Sequence, residues 1–154
     1  MLKYSIRLDE DRLPMLVQED SFSYEGAARA VHDNHELVSF LNEKEHVMDL
    51  PEEHCYIVAL NNKCGVIGYF EISIGTYNAS MIEPKAIFTR LLAVGAVKFI
   101  LVHNHPSGDP EPSKADLATA QKLISGGKLL DIDLLDSIVI GYNRWISFRE
   151  EGLL

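Results

Sequence analysis

His103 and His105 stand one residue apart, and Ser113 and Asp116 follow after a seven-residue interval. Side chains two apart on an extended backbone point the same way, so both imidazoles address one point. Ser113-x-x-Asp116 is the pattern of a capping box, with a serine before a helix and an acid in its first turn. Taken separately, each half is ordinary: a pair of loop histidines and a capped helix. Together they describe a strand end and a helix start joined by a loop that Pro106, Pro110 and Pro112 stiffen. Such a loop carries Asp116 back to the imidazoles. Two neutral imidazoles and one carboxylate form a borderline-soft set that suits zinc, with a fourth position open to water. Zinc in an open site lowers the pKa of its water to about 7. A carboxylate base is then needed to take the proton and return it.

The elements around this segment must supply the strand and the helix. Residues 97–102, "VKFILV", form a nearly continuous apolar run, which suits a strand buried on both faces. A helix is expected from about Lys114 to Ile124, with Leu117, Ala120 and Ile124 inward and Gly126-Gly127 stopping it. Upstream, 54–61 and 66–76 read as strands of a hairpin that turns at Asn62-Lys63. Pro84 opens a helix over 84–96, with Ile87, Phe88, Leu91 and Leu92 as its apolar stripe. Residues 132–141 and 144–148 are two last strands. At the other end, "LKYSIRL" alternates strictly and is a strand, returning as "LPMLVQE". Residues 24–46 read as helical with a break near Asp33-Asn34. Hairpins flanking an alternating centre predict a mixed sheet with helices on its faces.

Composition narrows the function. The chain has 154 residues, 47% of them hydrophobic, enough for one domain with a core. No apolar run approaches the roughly 20 residues of a membrane span, and the first residues carry no apolar signal-peptide segment. The expected compartment is the cytoplasm, with no membrane partner. Residues 1–53 hold 13 acidic against 5 basic residues, a net of −8 of the chain's total of −9. Nucleic-acid binding draws on neutralised phosphates, so this distribution argues against it. Cys55 and Cys64 are poorly placed to bridge across the hairpin and are expected to be reduced. No Cys-x-x-Cys pair offers a thiolate zinc site. His32 and His35 lie three apart without a third partner and are expected to be surface residues; His46 and His54 are expected to be structural.

The His103-x-His105 and Ser113-x-x-Asp116 pattern resembles the JAMM (MPN+) metalloprotease signature. The fuller "HNHPSGDPEPSKAD", with "ISIGTYNAS" and "LLDSIVIG", is similar to the bacterial RadC family, a JAMM branch long labelled as DNA repair proteins. The resemblance covers roughly residues 35–154. It implies a cytidine-deaminase-like three-layer α/β sandwich with a mixed central sheet. It also implies Zn²⁺ held by His103, His105 and Asp116, with Glu53 as general base and Ser113 as the hydroxyl supporting the water or the tetrahedral oxyanion. Glu52 is the nearest rival to Glu53, and Glu71 sits mid-strand and fits less well. The whole chain reads as a single RadC-like domain, 1–154. Residues 1–34 are an N-terminal extension made of a β-hairpin and a short helix. The helix-hairpin-helix region of longer relatives is not expected in it. Two positions depart from the family pattern: Glu83–Ala86, where relatives read His-Pro-Arg-Glu, and Ser137, where relatives have histidine after the aspartate. The implied activity is a zinc-dependent metallopeptidase acting on a peptide or isopeptide bond in a peptide or protein substrate. Alternatives are a DNA-associated repair or mobile-element protein and a non-catalytic interaction module. An exposed first strand invites pairing, either on the sheet edge or in a homodimer. Zinc deaminases are set aside because they need His-x-Glu with Pro-Cys-x-x-Cys.

Overall fold

Strand β3 (His54–Leu60) is buried at every position. The reason is its place between two neighbours: it pairs antiparallel with both β4 (Val66–Ile74) and β5 (Lys98–Asn104). The computed structural model describes residues 1–22, 33–75 and 82–154. Within them one mixed sheet of seven strands runs in the order β2-β1-β4-β3-β5-β6-β7. Strands β1 (Leu2–Leu8) and β2 (Pro14–Ser21) form an antiparallel pair at one edge. Strands β6 (Asp133–Ile140) and β7 (Trp145–Ser147) form another at the opposite edge.

Alternation along β3 divides the core. Cys55, Ile57 and Ala59 point to the face that packs Ile87, Phe88 and Leu91 of α2 (Pro84–Ala93) and Leu123 of α3 (Lys114–Leu130). Tyr56, Val58 and Leu60 point to the other face, against Leu37, Phe40 and Leu41 of α1 (Asn34–Glu45). The mixed α/β architecture expected from the chain is therefore present, with α1 on one face and α2 and α3 on the other.

The N-terminal hairpin sits on the sheet, not apart from it. Strand β1 runs parallel to β4, with Lys3 opposite Tyr69. The polar side of β1 is not simply turned to water. Lys3 Nζ lies 2.7 Å from both carboxylate oxygens of Glu45, which also accepts from the Tyr69 hydroxyl at 2.5 Å. Helix α1 and the hairpin are thus joined by a partly buried ion pair. The helix opens at Asp33, whose side chain accepts from the His35 amide at 2.7 Å. The rest of the helix read from residue 24, including His32, lies outside the described residues. His35 packs edge-on to Trp145, and His46 ends α1 in the left-handed conformation. Both cysteines are free, Cys55 buried and Cys64 partly so. Among the described residues no helix is long and apolar enough to cross a membrane.

One expectation is corrected. Gly126 and Gly127 do not stop α3, which continues to Leu130 and ends at Asp131 in the left-handed conformation. The glycines serve packing: a Cβ at Gly126 would lie 2.8 Å from the Phe88 ring, and one at Gly127 only 2.2 Å from the Ile132 carbonyl oxygen. Close packing on α2 for Gly126 and the close return of the chain at Ile132 for Gly127, not a helix-breaking preference, account for them. Gly127→Ala is therefore expected to destabilise by about 1–3 kcal/mol through overpacking, despite a gain in helix propensity of about 1 kcal/mol. Chemical denaturation checks this; a variant more stable than the parent would show that the contact relaxes freely.

Candidate metal centre

Strand β5 is buried from Phe99 to its last residue, and His103 is wholly inaccessible there. His105 is just beyond the strand's end, held by its amide to the Ile140 carbonyl at 2.8 Å. Its side chain remains on the side of His103, as extended backbone requires. Ser113 then caps α3. Its hydroxyl accepts from the Asp116 amide at 3.2 Å, and its own amide donates to Asp116 Oδ2 at 2.7 Å, completing the capping box. That reciprocal cap fixes the carboxylate in the first turn, facing the strand end.

The three side chains meet. His103 Nε2 and His105 Nε2 are 3.3 Å apart. Asp116 Oδ1 lies 3.3 Å from His103 Nε2, and Oδ2 lies 3.4 Å from His105 Nε2. Among the described residues these three form the one cluster of His, Cys, Asp and Glu able to hold a metal ion. A tetrahedral ion with bonds of about 2.0–2.1 Å separates its ligands by about 3.3–3.4 Å. The donor types and the 3.3 Å between the two imidazole nitrogens therefore fit zinc, with the Asp116 carboxylate beside both. His105 Nδ1 lies 2.8 Å from the Asp109 carbonyl oxygen, which holds the proton on that nitrogen and leaves Nε2 its lone pair. His103 Nδ1 is buried with no hydrogen-bond partner among the described residues.

The charges agree with this arrangement. Burial alone would push the Asp116 carboxyl up, but bonds from His103, His105 and Ser113 hold it well below the usual carboxylate range. The bond to Asp116 raises the His105 imidazole, against burial, and the Asp109 carbonyl adds to the rise. Cys55 pairs with His103 across the sheet, yet it offers no thiolate. Burial, then the negative charges of Glu53 and Asp116, push its thiol far up.

Position relative to β3 also distinguishes the three glutamates. Cys55 is opposite His103, and Glu53 lies two residues before it, just ahead of the first residue of β3. Glu53 is half-buried, and its charge reaches both Cys55 and His105. Glu52 is exposed, in the bend that precedes β3. Glu71 pairs with Tyr56 on the α1 face, where its Oε1 lies 2.6 Å from His54 Nδ1. It is separated from the imidazoles by the sheet itself. His54 is thereby structural, stacked on Tyr56 as well.

Two supporting residues were not singled out from sequence. Asp109 holds His105 through its carbonyl, and its carboxylate pairs with Arg144 at 2.7 Å. Asn104, between the histidines, is buried and bonds the β3 backbone. A polar amide between two same-facing histidines was the available signal, since it must point to the other face. Of the departures from the pattern, Ser137 lies buried within β6 beside Asp136. That carboxylate accepts from the Ser147 hydroxyl at 2.5 Å and from the Arg149 amide at 3.0 Å. Glu83 caps α2 without a side-chain bond.

A family model described as a RadC-like JAB domain matches residues 31–153. Similar curated proteins carry the name UPF0758. That of Methanococcoides burtonii is 42% identical over 106 residues, 69% of this chain and 46% of the relative. That of Desulforamulus reducens is 43% identical over 110 residues, 71% of this chain and 48% of the relative. That of Bacillus licheniformis is 45% identical over 105 residues, 68% of this chain and 47% of the relative. The chain spans about half the length of the curated relatives it matches. A domain match across β3 to β7, with the paired histidines and capped aspartate at its centre, means that this chain belongs to the RadC-like JAB domain family.

Proposed function

We propose that the chain is a zinc-dependent hydrolase of the JAMM metallopeptidase type, built on a cytidine-deaminase-like three-layer sandwich. It would cleave a peptide or isopeptide bond in a protein or peptide substrate. The observation that carries this reading is the convergence of His103, His105 and Asp116: the two Nε2 atoms are 3.3 Å apart, and each lies 3.3 or 3.4 Å from a different oxygen of the Asp116 carboxylate. Zinc held there supplies Lewis acidity, polarising a carbonyl and making water a nucleophile near neutral pH. Glu53, whose charge reaches His105, is the base that takes the proton of the attacking water and returns it to the leaving nitrogen. Ser113 donates to Asp116 Oδ2 at 2.6 Å, so its first role is to orient that carboxylate. Supporting an oxyanion requires the hydroxyl to exchange this bond for one to the substrate. Elemental analysis of the purified chain, paired with hydrolysis of a peptide and isopeptide library, tests the reading. Stoichiometric zinc with turnover is expected; neither zinc uptake nor turnover would sink it.

Metal uptake should depend on pH in a defined direction. The His105 imidazole must be neutral to ligate, and its bond to Asp116 raises its affinity for a proton above the ordinary value of 6.5. Zinc affinity should therefore begin to fall at a higher pH than for an ordinary histidine site and keep falling as pH drops. The metal-free chain behaves oppositely. A raised folded value means that His105 contributes stability fully below its unfolded value and loses it as pH rises through the folded one. The increment in melting temperature on adding zinc should thus grow with pH, which calorimetry at a series of pH values checks. An increment independent of pH would contradict the assignment of His105.

Ser113→Ala removes the helix cap. A loss of about 1 kcal/mol is expected in denaturant melts, with a smaller fall in hydrolysis than any change to the base produces. Unchanged stability would mean that the capping box contributes nothing net.

A further inference from the structure

Between the two histidines, Asn104 points to the opposite face of the sheet and is 2% exposed. Its Oδ1 accepts from the His54 amide at 2.7 Å, and its Nδ2 donates to the Glu52 carbonyl at 3.0 Å. Those are the backbone groups immediately before and after Glu53. One rigid amide therefore grips the chain on both sides of the residue proposed as base, and does so from the last residue of β5, between His103 and His105. The Glu53 carbonyl is held separately, accepting from the Gly75 amide at 2.7 Å. His54, the next residue, is anchored by Glu71 and by its stack on Tyr56. The peptide units flanking Glu53 are thus fixed by bonds that do not involve its side chain.

The clamp does work the sheet does not. The regular pairing of β3 with β5 ends at Cys55 and His103. Beyond that pair the β3–β5 ladder does not continue, and Glu53 lies on that side. An asparagine side chain matches a peptide unit in shape, with one donor and one acceptor in fixed relation. Bonded to Glu52 and His54, it extends the pairing past the end of the ladder. A buried amide with both functions satisfied is rigid, because releasing either leaves an unpaired polar group.

We infer that Asn104 is a positioning residue: it sets the distance between Glu53 and the His103-His105-Asp116 centre by clamping the backbone on both sides of Glu53. This rests on the proposed hydrolase reading for the role of Glu53, but the clamp itself concerns only where that side chain stands. Small errors of placement carry large losses of rate, so a residue with no contact to substrate can control turnover.

The test uses the full chain with ¹³C-labelled glutamate, loaded with Co²⁺ or with Zn²⁺. The Glu53 carboxyl resonance, assigned by its loss in Glu53→Gln, should be displaced in the cobalt form relative to the zinc form. In Asn104→Ala that displacement should fall by at least half, while metal stoichiometry and the cobalt-shifted His103 and His105 signals stay as in the parent. General loosening would move the histidine signals too, and that result would overturn the inference. Asn104→Asp keeps the acceptor for the His54 amide and loses the donor to Glu52, so an intermediate displacement is expected. It decides the question if the alanine variant does not fold. Parent-like displacement in every folded variant would overturn the inference. Should the chain bind cobalt yet hydrolyse nothing, the hydrolase reading fails while the same displacements still judge the clamp. Should it bind no metal, nuclear Overhauser contacts between the Glu53 side chain and the His105 ring take their place. Their loss in Asn104→Ala supports the clamp, and their persistence overturns it. With a substrate in hand, kcat should fall with KM unchanged. Asn104→Ala in a Glu53→Gln background should then bring no further fall, since both act on one proton transfer.

Discussion

Glu53→Gln is expected to lower hydrolysis by about 10²–10⁴-fold, the usual contribution of a general base. The substitution keeps the size of the side chain and removes the proton acceptor. Glu53 lies just ahead of β3, where its charge reaches His105, and is not one of the three clustered donor residues. Zinc content and melting temperature should therefore stay near those of the parent. This combination separates an enzyme from a scaffold: a residue acting only in folding would move the melt, and a ligand would move the metal. Glu52→Gln, on an exposed side chain in the bend before β3, should leave rate and metal alike. Glu71→Gln should affect stability more than rate, because it disturbs the pair with His54 on the α1 face. Full activity in Glu53→Gln, with the rate lost in either of the other variants, would move the base to that residue. Unchanged activity in all three would remove the hydrolase reading.

The second large effect concerns the metal. His105→Ala and the double variant His103→Ala/His105→Ala are expected to lose stoichiometric zinc. The double variant leaves one carboxylate from the triangle. His103 is the poorer single test, since alanine at a wholly buried position also opens a cavity and destabilises directly. His105 retains 18% side-chain exposure, so its removal reports mainly on the metal. Adding zinc to the parent at about 100 times the dissociation constant should stabilise it by about 2.7 kcal/mol. In the double variant the same addition should leave the melt unchanged. Full metal content in the double variant would show that the triangle is not the binding site.

Much of the centre was legible in residue order because its parts are local. Two histidines on extended chain must face one way, and Ser113-x-x-Asp116 closes on itself whatever surrounds it. The strands and helices of the middle of the chain follow for the same reason, since alternation and helical spacing are properties of short segments. The N-terminal strand was equally plain, because Leu2 to Leu8 alternate without a break. Where that strand attaches was open between a sheet edge and a second copy, since an exposed backbone edge pairs with either.

What residue order by itself determined was the identity and mutual spacing of the donors, and the elements that end and begin beside them. Tertiary structure alone decided the rest, because the remaining questions were about register and close approach. Where Glu53 and Glu71 lie relative to the imidazoles needed the pairing of Cys55 with His103 and the bond of Glu71 to His54, since one step of register turns a side chain to the opposite face. Reading Gly126 and Gly127 as packing residues needed the Phe88 ring and the Ile132 carbonyl beside them, neither of which is local in sequence. Asn104 shows its two bonds to residues 52 and 54 only when β3 lies against β5. Local patterns encode what each segment is; contacts between distant segments, set by how the core packs, determine which side chains share a site.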